Sequence, residues 1–192
     1  SIGANIFIRR LDYSLLTGQD FVTDSRGGSL TYGRNLGLFG SASVTFTRYE
    51  SDETRTEFTV DGEQLQQEIQ RDVSMIRLGL SRDRRDSRLQ PTVGTRYSVF
   101  LDYAGGVLGG NTNFVRPRAQ FSRYIPLTKE RFQTSWAFNV DGGLIEPIDD
   151  TDLYFNDRFY LGGESSVRGF RYRSIWTRDA QGNTITDAFG FP

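Results

Sequence analysis

Arginine is the residue type on which any chemistry in this 192-residue chain has to rest. There is no histidine and no cysteine. That removes the commonest general base and metal ligand, together with any disulfide framework or thiolate metal site. Most hydrolase and metalloenzyme designs therefore cannot be built from these residues, and no enzymatic activity, cofactor or ATP motif is expected. Lys and Arg total 23 against 24 Asp and Glu, a net charge of −1, so no global field points to nucleic acid. Lys129 is the single lysine. Arginine suits bidentate pairing with carboxylate or phosphate in confined polar space better than lysine does.

One arginine stands in an unusual setting. The stretch Arg158-Phe159-Tyr160-Leu161-Gly162-Gly163-Glu164-Ser165-Ser166-Val167-Arg168-Gly169-Phe170 fits neither a plain strand nor a plain polar loop. Gly162, Gly163 and Gly169 permit backbone angles closed to other residues and a close approach to another surface. Phe159, Tyr160 and Phe170 supply packing area that an exposed loop would not need. The expectation is a loop folded inward, with Arg168 confined and in need of an acceptor, since an unpaired buried arginine is costly. The acidic run Asp149-Asp150-Thr151-Asp152 resembles a calcium loop only loosely, and an exposed loop is the stronger reading.

The elements that must position these residues are read from period-2 alternation. Ala4, Ile6 and Ile8 share one face of a first strand, and Leu30 and Tyr32 one face of the next. Ala42, Val44 and Phe46 follow, then Ile76, Leu78 and Leu80. Tyr97, Val99, Leu101 and Tyr103 come next, then Val115, Pro117, Ala119 and Phe121, then Trp136, Phe138 and Val140. The opposite face carries Arg77, Arg96, Asp102, Arg116, Arg118, Asn139 and Asp141. Residues 16–28 read as turn-rich, 51–71 as a solvated loop extension, and 144–183 as a long loop carrying the Arg168 motif. About seven antiparallel strands result, joined alternately by short turns and long loops, as in an outer-membrane barrel. No run approaches the roughly 18 apolar residues of a membrane helix, but a barrel strand needs only about 9–11 with alternate ones apolar. Tyr97, Tyr103, Tyr124 and Trp136 suit the membrane interface, where amphipathic rings collect. A soluble sandwich also alternates, but with lysines outward and shorter, more even loops.

The motif Arg-Phe-Tyr-x-Gly-Gly-x-x-Ser-Val-Arg-Gly-Phe resembles the inward-folded loop of the outer-membrane assembly factor BamA family, whose relatives include TamA-type translocation modules and two-partner secretion transporters. Arg88 to Thr95 is similar to that family's periplasmic turn before the ninth of sixteen strands. Phe121 to Leu127 resembles the end of the tenth, and Asp187-Ala188-Phe189-Gly190 the entry to the twelfth. The resemblance implies that residues 4–10 form the fifth strand and 133–143 the eleventh. Residues 1–192 would then be one barrel domain: strands and hairpins over 1–143, the long loop over 144–183, and the start of another strand over 184–192. The family's periplasmic POTRA repeats, strands one to four and strands thirteen to sixteen are absent from the sequence, which reads as part of a longer protein.

The same resemblance implies an antiparallel transmembrane β-barrel in the bacterial outer membrane that folds and inserts other outer-membrane proteins. Its partners would be membrane lipid, unfolded client proteins and accessory assembly lipoproteins. Val167, Arg168, Gly169 and Phe170, with Gly162 and Gly163, would anchor the loop in the lumen. Arg77, Arg96, Asp102, Arg116, Arg118 and Asp141 would line that lumen, and Asp102 or Asp141 is the nearest carboxylate to offer Arg168. In the family the acidic partners of this arginine lie on later strands. The alternatives are a TamA-like or two-partner secretion pore that translocates polypeptide, and a passive porin.

Overall fold

The computed structural model describes residues 1–12, 20–58, 64–128, 134–149, 153–154, 157–164, 166–170, 174–175 and 181. The chain divides into two compact units, Ser1–Thr151 and Asp152–Pro192. The first is an antiparallel sheet of β1 (Ile2–Asp12), β2 (Asp20–Leu36), β3 (Gly40–Phe58), β4 (Gln64–Asp83), β5 (Gly94–Ala104), β6 (Phe114–Pro126) and β7 (Ser135–Gly143), each paired with its neighbours in sequence. A two-residue strand, β8 (Glu146–Pro147), pairs with β6 beside Phe114 and Val115. One 3-10 turn, Gly106–Leu108, lies between β5 and β6.

Two stretches read from sequence as turn or loop are strand. β2 begins at Asp20, and β3 and β4 run on to Phe58 and back from Gln64 as one long hairpin. The charged and glutamine-rich composition of 51–71 carries no apolar alternation. Backbone pairing with an equally long neighbour holds the strands there instead.

The sheet is apolar on its exposed face. Among the described residues the buried hydrophobic side chains are Val73, Ala104 and Phe114, whereas Ile2, Ile6 and Ile8 are 83–90% exposed. Leu30, Val44, Leu78, Leu80, Val99, Phe138 and Val140 are exposed too. A water-soluble sheet would bury this face. Here the alternation is inverted, as required of strands whose outer surface meets lipid.

The register shows how that face is arranged. Ile2, Tyr32, Val44, Leu78, Leu101 and Pro117 lie in one row across the strands, and Ala4, Leu30, Phe46, Ile76, Tyr103 and Val115 in the next. The apolar band does not follow these rows. It spans Ile2–Ile8 in β1 but Trp136–Val140 in β7, so its centre drops by between four and five rows over six strand steps. At about 6.7 Å per row and about 4.8 Å per strand spacing, the slope is roughly 45°. Outer-membrane strands tilt by about 35–45° for the same reason, because closure requires a staggered register.

Short connections at Gly37–Phe39 and 127–134, and the turn at 84–93, mark one end of the sheet. In the last of these the Asp86 carboxylate accepts from the Thr92 hydroxyl and from the Thr92 and Val93 amides. At the other end the β5–β6 connection folds back onto β4. β5 pairs with β4 only as far as Met75, leaving the edge of residues 70–74 open. Gly110 bridges to Val73, and the Asn111 amide NH donates to the Asp72 carbonyl at 2.9 Å. The Asn111 side chain acts as a further peptide unit, accepting from the Asp72 amide and donating to the Gln70 carbonyl, both at 2.9 Å. This closes the edge that a longer β5 would have covered.

Candidate functional site: the polar face and the arginine loop

Cross-strand register brings the predicted polar residues together on one face. Arg77 opposes Asp102, which opposes Arg116; Phe100 opposes Arg118; Asp83 opposes Arg96, which opposes Ser122; and Gln120 opposes Asp141. The Asp102 carboxylate is almost fully buried and is shared by two guanidinium groups. Arg77 donates through Nε and Nη2, and Arg116 through Nε and Nη2 at 3.0 and 2.9 Å. Arg118 lies over the Phe100 ring at 5.6 Å and Arg116 over Phe114 at 5.1 Å. Arg77, Arg116 and Arg118 are thus held by local pairing and stacking. Asp141 accepts from the Gln120 amide at 2.7 Å. Both carboxylates offered to Arg168 on sequence grounds therefore already have partners within the sheet.

Sequence reading missed two features of this face. Arg71 and Glu53 form an ion pair at 3.2 Å with side chains 1% and 3% exposed, in the segment read as a solvated loop. Hydroxyl pairs cross the strands at Ser25–Ser51, Thr31–Thr45 and Ser41–Ser81. In 51–71 charged and hydroxyl side chains stand on both faces, Ser51 and Glu53 on one and Asp52 and Thr54 on the other, so no alternation there singles out the buried pair. Tyr124, read as an interface residue, falls on this polar face beside Arg96, Ser122 and Ala137 rather than with Tyr97, Tyr103 and Trp136, because it is an even position in β6.

The arginine loop belongs to the second unit. Val167-Arg168-Gly169-Phe170 is a β-turn closed by the Phe170 amide on the Val167 carbonyl at 3.4 Å, with Gly169 at φ 90°. A positive φ at the third position of such a turn selects glycine. A second bond, from the Gly163 amide to the Phe170 carbonyl at 3.1 Å, ties the turn to the glycine pair, itself at φ 106° and 97°. The Ser166 hydroxyl donates to the Gly162 carbonyl and accepts from the Gly162 amide, each at 2.9 Å. Arg158 braces the approach by donating twice to the Leu153 carbonyl. The result is a loop held by its own backbone, with Arg168 exposed at its apex. Asp150, Thr151, Asp152 and Asp187 to Gly190 lie outside the described residues. Among the described residues no group of three or more acidic side chains is placed to hold a metal ion.

An inverted-amphipathic sheet with tilted strands and a self-braced arginine loop narrows the comparison with known proteins to outer-membrane barrels. The model of the Omp85 superfamily domain matches residues 1–189. The chain belongs to the Omp85 superfamily. Among its relatives is outer membrane protein assembly factor BamA of Nitratidesulfovibrio vulgaris, 32% identical over 108 residues, which is 56% of this chain and 13% of that protein. A sorting and assembly machinery component 50 homolog of Mus musculus is 38% identical over 95 residues, 48% of this chain and 19% of that protein. The crystal structure of BamA from Haemophilus ducreyi lacking POTRA domains 1-3 superposes with a TM-score of 0.76 at 19% identity, over 92% of this chain and 36% of that one. The Omp85 chain described here thus spans less than a fifth of the curated relatives' length, and its fold is that of a BamA-type barrel of the outer membrane.

Proposed function

We propose that this Omp85 chain works within an assembly factor that folds and inserts β-barrel proteins into the bacterial outer membrane. The observation that carries the reading is the coincidence of family membership with the Val167–Phe170 turn, whose backbone is built to present one arginine. Two relatives named for assembly, one bacterial and one from mouse, support the same class of activity.

In this reading Arg168 anchors the loop within the barrel lumen against a carboxylate on a strand other than those of the sheet. Gly162, Gly163 and Gly169 let the loop lie close to the wall. Arg77, Arg96, Asp102, Arg116, Arg118 and Asp141 line the lumen. Client strands are templated by edge pairing at a seam elsewhere in the barrel, and accessory lipoproteins assist. No covalent step is involved.

The test is complementation with Arg168→Ala in the full-length protein, following outer-membrane protein levels and the heat-modifiable migration of the barrel. The reading requires that assembly falls and the barrel loosens. Normal assembly with an unchanged barrel would sink the anchor role. A large, steady conductance in a planar bilayer would replace the assembly reading with a porin.

A further inference from the structure

The apolar face ends in a feature that barrel closure does not require. Following each strand toward the end where β3 and β4 run on to Phe58 and Gln64, the first charged side chain beyond the band is an arginine in three successive strands. These are Arg10 after Ile8 in β1, Arg26 after Leu30 and Gly28 in β2, and Arg48 after Phe46 in β3. The three descend one row per strand, the same sense as the band itself, so they keep its upper border. Each is paired with a carboxylate on the following strand: Arg10 with Asp24 at 3.8 Å, Arg26 with Glu50 at 2.8 Å, Arg48 with Asp72 at 3.0 Å. All three arginine side chains remain more than 60% exposed.

Exposed ion pairs of this kind add little stability in water, so folding alone does not account for a row of them. Their position does. Counted from the apolar band, the chain past this border makes long excursions, 9–29 between Ile8 and Leu30 and 47–75 between Phe46 and Ile76, whereas the other end turns back at 37–39 soon after the band. Long excursions mark the outer end of an outer-membrane barrel, which puts this border at the outer leaflet's headgroups. A guanidinium held there by a carboxylate keeps unused N–H donors facing outward, and its planar fork matches phosphate oxygens.

We propose that Arg10, Arg26 and Arg48 form a binding belt for the phosphate groups of outer-leaflet lipid headgroups, with Asp24, Glu50 and Asp72 setting the guanidinium orientation. The occupant is the membrane's own phosphorylated lipid, chosen on charge and on continuity with the lipid-facing band. The inference rests on the membrane placement of the apolar face and not on the assembly activity.

The experiment reconstitutes the full-length protein, and its Arg10→Gln/Arg26→Gln/Arg48→Gln variant, into nanodiscs of phosphatidylcholine containing a minor fraction of a bis-phosphorylated glycolipid. Retained glycolipid is counted by native mass spectrometry. The triple variant is expected to lose enrichment by at least about tenfold, since each arginine near an anionic surface contributes severalfold. A melt in pure phosphatidylcholine checks folding, and there the two proteins should match. Equal enrichment in variant and parent would overturn the belt. A spin label at Val44→Cys, on the apolar face, separates this from failure of the membrane placement. Relaxation by oxygen marks acyl chain. Relaxation by a water-soluble reagent instead would overturn the placement and the belt together.

Discussion

The buried carboxylate of Asp102 sets the energetics of the polar face at the scale of single residues. It compensates both Arg77 and Arg116, so Asp102→Asn leaves two guanidinium groups facing one another across a neutral amide. Losing a charged acceptor of this kind costs about 3 kcal/mol. The expected result is a clear fall in the unfolding temperature of the heat-modifiable barrel, largely repaired when Arg77→Gln is added. At Gly169 the cost has another source. Nothing lies within 4 Å of a Cβ placed there, but φ is 90°, so Gly169→Ala strains only the backbone, by roughly 1–2 kcal/mol. Faster proteolysis confined to the loop, with the sheet's melting unchanged, is the expected outcome. In the 84–93 turn, the Thr92 hydroxyl, then the Val93 and Thr92 amides, hold the Asp86 carboxyl well below the ordinary carboxylate range. A folded pKa below the unfolded one gives stability that is present above about pH 4 and lost as the pH falls through the folded value. The stability difference between the parent and Asp86→Ala should therefore be full at pH 7 and shrink only below about pH 4, as thermal melts across that range would show.

Elements show how far composition could be read and where it stopped. The strands whose outward residues are apolar, such as Tyr97 to Tyr103, were legible because alternation survives wherever one face meets lipid. The upper halves of β3 and β4 were not. Beyond Phe46 both faces meet water or polar groups, so Arg48, Glu50 and Asp52 on one side and Ser51 and Glu53 on the other carry no hydrophobic period. The arginine loop was legible as a motif and as a glycine-dependent turn. Its Ser166 clamp on Gly162 was not, because a serine in a loop has too many ordinary uses. The same limit hid the β5–β6 connection, whose glycines read only as a turn. Asn111 there replaces a missing strand with two side-chain bonds to β4. Asn111→Ala frees the Asp72 amide and the Gln70 carbonyl, and about 1–3 kcal/mol of local protection should go with them. Hydrogen exchange should quicken at Asp72 in the variant while the Leu78–Leu101 region of the same sheet stays protected.

For the molecule as a whole, the deciding property is which face carries the charge. In a protein whose apolar face is its outside, the usual rule that surface substitutions are harmless is reversed. Leu101 lies within the apolar stretch Tyr97–Tyr103 of β5, and Leu101→Arg puts a guanidinium on the lipid-facing side, at a cost of up to about 2–4 kcal/mol. Gln120, on the other face in the neighbouring strand, already donates to Asp141, so Gln120→Arg keeps that partner and should be close to neutral. Both substitutions introduce the same side chain, so a difference between them reports the surroundings of the two faces and not the residue itself. Folding yields of the two variants from urea into lipid vesicles measure the difference directly. A barrel should show Leu101→Arg impaired and Gln120→Arg near the parent. Since the band descends diagonally across the sheet, the penalty for arginine should follow that slope rather than the rows. At Ile8, high in its strand but within the band, it should be greater than at Glu50, which shares a row with Arg26 but stands above the band.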